Sequence, residues 1–367
     1  MRQLLFEMKK MTRTRLLFFL AAGTLLLIGA IFIRNVLQQD MVTAEKVESF
    51  SNHLQDVSSQ NRTDLMMMED EPSEELELRL NKGLDLQDKL NELIDSISKG
   101  LWEDELQGEI EVSRSAMAYK DARGRYTMSH ADLEDTIRLN EQLLALGLPK
   151  EDPDRSNQPP LFMKQMMVLV LNPVGYTVLF LLLGISITRE FEDRNMRMVY
   201  AFPVPRWRLV LVKFISLLLV AMSWLVYFLL LSYLLPNLVM ETREQIFDYP
   251  LLLTSGELMR VGSYINEAVL YSAGTLFFAT AMVTLIGFGF RQTIVSSVII
   301  TALFTGGWML ARNGMDVFLN PFTYVSGNQV ILSQPAFYPG GILVLLIVSI
   351  VLLFAAMWSN QRRGVAK

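Results

Sequence analysis

Two apolar runs of 22 residues each, Met166–Ile187 and Phe214–Leu235, flank a charged, proline-broken segment, Thr188–Lys213. At roughly 1.5 Å per helical residue, a run of that length crosses a bilayer core of about 30 Å with a little tilt. The segment between them carries six basic residues: Arg189, Arg194, Arg197, Arg206, Arg208 and Lys213. One such charge at the membrane centre costs on the order of 2.5–3.5 kcal/mol, so the segment belongs in water, and its positive sign assigns that water to the cytoplasm.

The rest of the chain repeats this segregation. Half of the 367 residues are hydrophobic, yet 71 are charged. Asp40–Arg155 holds 28 of the 38 acidic residues and 13 of the 33 basic ones, so it carries 15 net negative charges while the remainder carries 10 positive. That bipolar distribution does not suggest nucleic-acid binding. Cysteine is absent, which excludes disulfides, thiolate metal sites and cysteine nucleophiles. The two histidines, His53 and His130, lie in the acidic region far from any metal-ligand partner and read as solvated surface residues.

Residues 1–15 place Leu4, Leu5, Met8 and Met11 along one helical face, with Arg2, Lys9, Lys10 and Arg13 elsewhere: a short amphipathic helix on the cytoplasmic membrane surface. Residues 16–33 form a first span, read as an uncleaved anchor with its N-terminus inside. Residues 34–164 are polar and poor in positive charge, which places them outside the cell as a largely helical domain. Leu84, Leu86, Leu90, Leu93, Ile94, Ile97 and Leu101 form one apolar stripe, and Leu133, Ile137, Leu143 and Leu144 a second. The acidic run Glu69–Glu77 reads as a solvated connection and Glu151–Pro160 as a linker back to the membrane. Asn61-Arg62-Thr63 matches a glycosylation sequon, a triplet too common to carry weight.

Residues 165–367 supply five further spans. After the second and third come a polar outer loop at Pro236–Glu267, a fourth span at Ala268–Phe290 and a fifth at Thr293–Leu310, joined by Arg291 and Gln292 alone. An outer segment rich in Phe, Tyr, Asn, Pro and Gly, Ala311–Gly340, suits short interfacial helices. The sixth span is Gly341–Trp358, followed by Arg362, Arg363 and Lys367. The fold class is thus an all-α polytopic membrane protein with six transmembrane helices and both termini cytoplasmic.

No ionisable residue lies inside any apolar run, which disfavours an ion-coupled carrier. The runs do contain Asn172, Tyr176, Tyr227, Tyr271, Thr275 and Thr305, candidates for lining a passage, although gluing helices together is the commoner use of such groups. Pro173 should kink the second span and free Asn172 to bond across helices. Met66–Met68 and Met163, Met166 and Met167 raise a soft-metal possibility. Packing is the commoner role of methionine, and no His or Cys accompanies these clusters, so no metal site is assigned. No P-loop, catalytic triad or zinc pattern occurs, so no catalytic residue is assigned.

Read together, Arg189-Glu190-Phe191-Glu192-Asp193, Ala201-Phe202-Pro203-Val204-Pro205-Arg206 and Lys213 resemble the type-2 ABC exporter (ABC-2 type) permease family. The resemblance covers the whole membrane part. The domain after the first span resembles a subgroup of bacterial drug, bacteriocin and sodium exporters. The resemblance implies that the 188–213 segment is a coupling helix docking on a separate cytoplasmic ABC ATPase. Glu190 or Glu192 matches the acidic position, Pro203 and Arg206 the turn, and Lys213 the basic start of the third span. It further implies no cofactor in this chain, with ATP and Mg on the partner ATPase, and a second permease copy or paralogue in the bacterial cell membrane among lipids. The function expected is outward movement of a hydrophobic or amphipathic molecule. An ATPase-coupled sensor that passes no substrate and an ion-coupled carrier are the alternatives.

Overall fold

A computed structural model describes residues 2–13, 15–193, 205–240, 246–313, 318–333 and 337–362. The chain divides into two compact units. One comprises residues 1–31, 162–240 and 263–367; the other comprises residues 32–161 and 241–262.

The second unit is built on four helices: α3 (Gln39–Asp70), α4 (Glu74–Lys99), α5 (Trp102–Asp121) and α6 (His130–Leu146). Consecutive helices pack on one another. Leu86, Leu90, Leu93 and Ile97 recur at helical spacing along α4 and meet Val57 of α3, Val112, Ala116 and Tyr119 of α5 and Leu133 of α6 in one core. Leu84 and Leu101, expected in the same stripe, are instead exposed: Leu84 lies off the face set by these four, and Leu101 lies beyond the end of α4. Helix ends are written into the sequence. The Ser73 hydroxyl accepts from Leu76 N to start α4, and Ser129 and Asp132 form a reciprocal capping box at α6. Gly100 and Gly147 end those helices at φ 70° and 66°, backbone that only glycine adopts without strain. Asp64, fully buried, accepts two hydrogen bonds from Arg79 at 2.8 and 2.6 Å, pinning α3 to α4.

Three sequence readings change here. The expected polar outer loop at Pro236–Glu267 is partly structured. Strands β1 (Pro250–Leu252) and β2 (Leu258–Arg260) pair antiparallel, with Leu251 opposite Met259. Arg138 of α6 donates to the Gly256 carbonyl, and the Tyr249 hydroxyl accepts from the Glu151 amide at 3.1 Å. The same bond shows that the expected linker at Glu151–Pro160 is packed in part, with Ser156 and Asn157 buried. His53 is half-buried, its ring 5.2 Å from that of Tyr126, whereas His130 is exposed. Asn61 is also buried, with its amide donated to Gln87, so the sequon offers no accessible acceptor.

The first unit contains α1 (Arg2–Arg13), most of α2 (Leu16–Leu37) and of α7 (Pro159–Val170), and α8 (Pro173–Glu192). It continues with α9 (Arg206–Val239), α10 (Val261–Phe290), α11 (Thr293–Arg312), the short α12 (Gly327–Ser333) and α13 (Gly340–Arg362). Six of these helices (α2, α8, α9, α10, α11 and α13) are long and apolar enough to cross a membrane. Their outward residues settle the solvent. Leu26, Ile294 and Leu343 are 73%, 79% and 59% exposed. Apolar surface left open on that scale is stable against lipid rather than water. The protein is therefore an all-α polytopic membrane protein with a helical domain between its first two spans. α10 is the most enclosed span, with 72% of its most apolar stretch buried against 17–44% for the others. Its Gly274 and Gly287 let Leu345 of α13 and Ile187 of α8 approach closely.

The spanning helices run past the apolar stretches that announce them, α9 and α10 furthest. α9 starts at Arg206, so Lys213 is its eighth residue, and α10 starts at Val261 and includes Glu267. The spanning helices therefore do carry ionisable groups near their ends. Hydropathy registers the apolar stretch, but the backbone hydrogen-bond ladder continues past it.

Candidate functional site

The residues singled out around the 188–213 segment gather where α1, α8, α9 and α11 meet. Residues 194–204, Pro203 among them, lie outside the described residues, whereas both flanks are described. On one flank, α8 ends in Thr188-Arg189-Glu190-Phe191-Glu192; on the other, α9 opens at Arg206.

Glu190 and Lys213 are both buried, at 7% and 5% exposure. The Lys213 ammonium donates to Glu190 Oε1 and to Glu7 Oε2 of α1, and Lys10 of α1 lies 3.0 Å from the same Glu190 oxygen. Two cations and two anions therefore close a neutral cluster joining α1, the end of α8 and the start of α9. Buried charge of this kind is stable only while every member is matched, and removing one partner costs about 3–5 kcal/mol. Lys213 reaches the cluster because it sits roughly 10 Å along α9, two turns beyond Arg206. Arg206 contributes its carbonyl, which accepts from Asn360 in the last turn of α13 at 3.2 Å.

Glu192 faces another way. Its carboxylate accepts from the Thr293 amide at 2.7 Å and the Thr293 hydroxyl at 2.8 Å, capping α11 from a neighbouring helix. Thr293 Oγ1 is also 3.0 Å from Thr188 Oγ1. Between the two acids, Phe191 lies against Phe288 of α10, with Arg291 5.4 Å above its ring. The last turn of α8 is thus held on one side by the charge cluster and on the other by the α10–α11 hairpin. Glu190 and Glu192 hold different partners rather than sharing one role.

Glu7, Lys10, Phe191, Arg291 and Thr293 were not foreseen. One signal was available for Glu7: it is the only carboxylate before Asp40, on a helix otherwise basic.

The passage candidates do not share one surface. Asn172, expected to bond across helices, bonds locally: its Oδ1 accepts from Val174 N and Gly175 N at 3.0 Å and its amide donates to Leu169 O at 2.7 Å. It ends α7 and caps α8, so Pro173 is the first residue of a new helix rather than a kink within one. Gly175 follows because a Cβ there would meet the Val170 carbonyl oxygen at 1.9 Å. Asn172 borders a mainly apolar cleft of about 430 Å³ between α2, α8 and α9, walled by Phe19, Leu27, Val178 and Trp224. Tyr227 lines a separate cleft of about 220 Å³ with Met8 and Leu17, and its hydroxyl donates to Ala21 O at 3.3 Å. Tyr176 and Tyr271 border a third, small cavity together with Tyr264, Ser272, Tyr324 and Asn328. Thr275 is buried and donates to the Tyr324 carbonyl at 3.3 Å. Thr305 is exposed on α11 and bonded to Thr301 O of its own helix. Of the methionines, Met66 and Met67 are exposed and Met166 and Met167 buried.

Searches of the curated proteins and of the solved structures give no match to the chain. A family model described as ABC-2 family transporter protein matches residues 7–364, from the charge cluster's Glu7 to beyond the end of α13. By that near-complete match, and by its six membrane-crossing helices, the chain belongs to the ABC-2 transporter family and is a multi-pass permease component of an ABC transporter.

Proposed function

We propose that this permease moves a hydrophobic or amphipathic molecule out of a bacterial cell, driven by a separate cytoplasmic ABC ATPase that grips residues 194–206. The observation that carries this reading is the bracing of both flanks of that segment. Glu190 and Lys213 tie it to α1 and α9, and Glu192 ties it to α11. A pull on the segment is thereby shared among four helices, three of them spans, instead of being absorbed by a flexible loop. In this arrangement α1 and the end of α13 are cytoplasmic, and the helical domain lies outside. A second permease copy or paralogue completes the passage, surrounded by lipid, and ATP and Mg are bound by the ATPase. The test is co-purification from native membranes in mild detergent. An ABC ATPase should accompany the tagged wild-type chain and be lost with Pro203→Ala plus Arg206→Glu. An ATPase absent under several detergents, or equally retained by the variant, contradicts the reading.

A second reading, in which the ATPase moves the domain and nothing crosses, draws support from the β1–β2 hairpin. The connection between spans α9 and α10 is itself part of the domain's fold, so those spans are directly continuous with it. ATP-dependent substrate accumulation in vesicles separates the two.

A further inference from the structure

At the end of α11 a cavity of about 40 Å³ opens between the last turn of that span, the 3₁₀ turn Thr323–Ser326 and α12. The turn seats closely on α11 at Gly307, where a Cβ would meet the Phe322 ring at 2.3 Å. Trp308 and Arg312 line the cavity from α11, Thr323 and Ser326 from the turn, and Gln329 and Ser333 from α12. No carboxylate is among the lining residues. Arg312 is exposed, its guanidinium lies 5.5 Å from the Trp308 ring, and it forms no ion pair among the described residues. Thr323 is 5% exposed, and its buried hydroxyl has no hydrogen-bond partner. Leaving such a hydroxyl unpaired costs about 1–3 kcal/mol, so the wall of this cavity lacks a partner.

Charge, donors and size specify the guest. Arg312 is the only ionisable lining residue, and its full charge exceeds the roughly half negative charge at the C-terminal end of α11. The guest is therefore an anion. Guanidinium, hydroxyl and amide groups supply donors from three elements, which suits an oxyanion. A cavity of about 40 Å³ holds roughly three water-sized groups. That matches a phosphorus with its two unesterified oxygens, the ester arms leaving through the open side. Depth chooses among phosphates. Trp308 and Arg312 stand in the last turn of a span, at the membrane–water interface where lipid phosphates lie. Met309, three residues before Arg312, and Val298, about three turns back, are exposed on one adjoining face of α11. Acyl chains thus have apolar surface beside the site. We propose that the Trp308–Arg312–Thr323–Gln329 cavity binds the phosphodiester of a membrane lipid at the end of α11. In the orientation proposed above, that lipid belongs to the outer leaflet. Neither the ATPase nor export enters this binding, so it stands or falls independently of the export reading.

The test titrates the purified full-length chain, delipidated in mild detergent, and counts bound lipid by native mass spectrometry. The probes are dioctanoylphosphatidylcholine, dioctanoylphosphatidylglycerol, dioctanoylglycerol and inorganic phosphate. Both phospholipids should fill a single saturable site with similar affinity, because the cavity reads the phosphodiester they share. Dioctanoylglycerol, which lacks it, should bind more weakly by about tenfold or more, and so should either phospholipid to Arg312→Gln. Arg312→Lys should retain part of the affinity, since it keeps the charge and loses the planar fork. Gln329→Leu should weaken binding several-fold. Arg312 and Gln329 are both exposed, so these variants should unfold at the wild-type temperature when lipid-free. Equal affinity in wild type and Arg312→Gln, or equal binding of dioctanoylglycerol, overturns the proposal. Binding of phosphatidylglycerol alone would mean that net charge is read instead of the phosphodiester, and also overturns it. Displacement of the lipid by inorganic phosphate at matching concentration assigns the cavity to a free anion and overturns the lipid assignment.

Discussion

Lys213 in the membrane unit and Lys89 in the helical domain each sit between two carboxylates, and their surroundings separate them. Lys89 reaches Glu92 at 3.0 Å and Glu111 at 2.9 Å with its side chain 33% exposed. Lys213 reaches Glu7 and Glu190 with its side chain 6% exposed. Around Lys89, water can replace either carboxylate at small cost, and salt screens the pair. Around Lys213 little solvent is available, so each charge depends on the others. The same triad of residue types is a solubilising surface in one unit and a structural joint in the other.

Apolar residues divide in the same way. Leu90 of the domain is fully buried in a core, whereas Leu343 of α13 is 59% exposed and faces lipid. One leucine holds helices together by leaving water; the other marks the solvent as hydrocarbon.

Substitutions can break this comparison, and the largest effect is expected at the buried cation. Lys213→Met leaves Glu7 and Glu190 with Lys10 alone and should destabilise the membrane unit by about 3–5 kcal/mol, read by thermal unfolding in detergent. Adding Glu190→Gln restores neutrality and should recover most of that loss. Next in size, Leu90→Ala should cost about 2–5 kcal/mol in the same assay, while Leu343→Ala should change it little, since lipid fills the space. A large loss for Leu343→Ala would mean that α13 packs there against another protein surface. The smallest effect belongs to Lys89→Ala, about 0–1 kcal/mol. Its sign with pH is defined. The hydrogen bonds that it donates to Glu111 and Glu92 hold the Lys89 ammonium well above the ordinary lysine range. The contribution is therefore complete below the unfolded-chain pKa of about 10.4 and fades as pH rises from there through the folded value. Lys89→Ala should flatten that alkaline limb only, and added salt should shrink its effect.

The six spans were legible in the sequence because each needs a long apolar run, and such runs have few other uses. The α4 core was legible for the same kind of reason, with four aliphatic residues at strict helical spacing. What escaped had weaker signatures. α3 has 32 residues, but only Val57 of them is fully buried in the shared core, with Val47, Phe50 and Leu54 partly buried against it. The β1–β2 strands are three residues each, below what alternation can reveal. Asn172-Pro173 fits a kink as well as a cap-and-restart, and only the Asn172 hydrogen bonds on both sides decide for the latter. At the end of α8, Glu190 and Glu192 stood out as a pair of acids. Their separation into a buried charge cluster and a cap on α11 depended on Glu7 and Thr293, which are distant in sequence.

The central claim is that the Glu7–Lys10–Glu190–Lys213 cluster transmits motion in addition to holding the fold. It is tested most directly with the Glu190→Gln, Lys213→Met double variant, which is neutral and keeps residues 194–206 intact. The measurement is substrate-stimulated ATP hydrolysis by the reconstituted permease–ATPase complex. The account predicts that the complex still assembles and hydrolyses ATP at its basal rate, while stimulation by substrate is lost. Full stimulation in a correctly assembled double variant would contradict it.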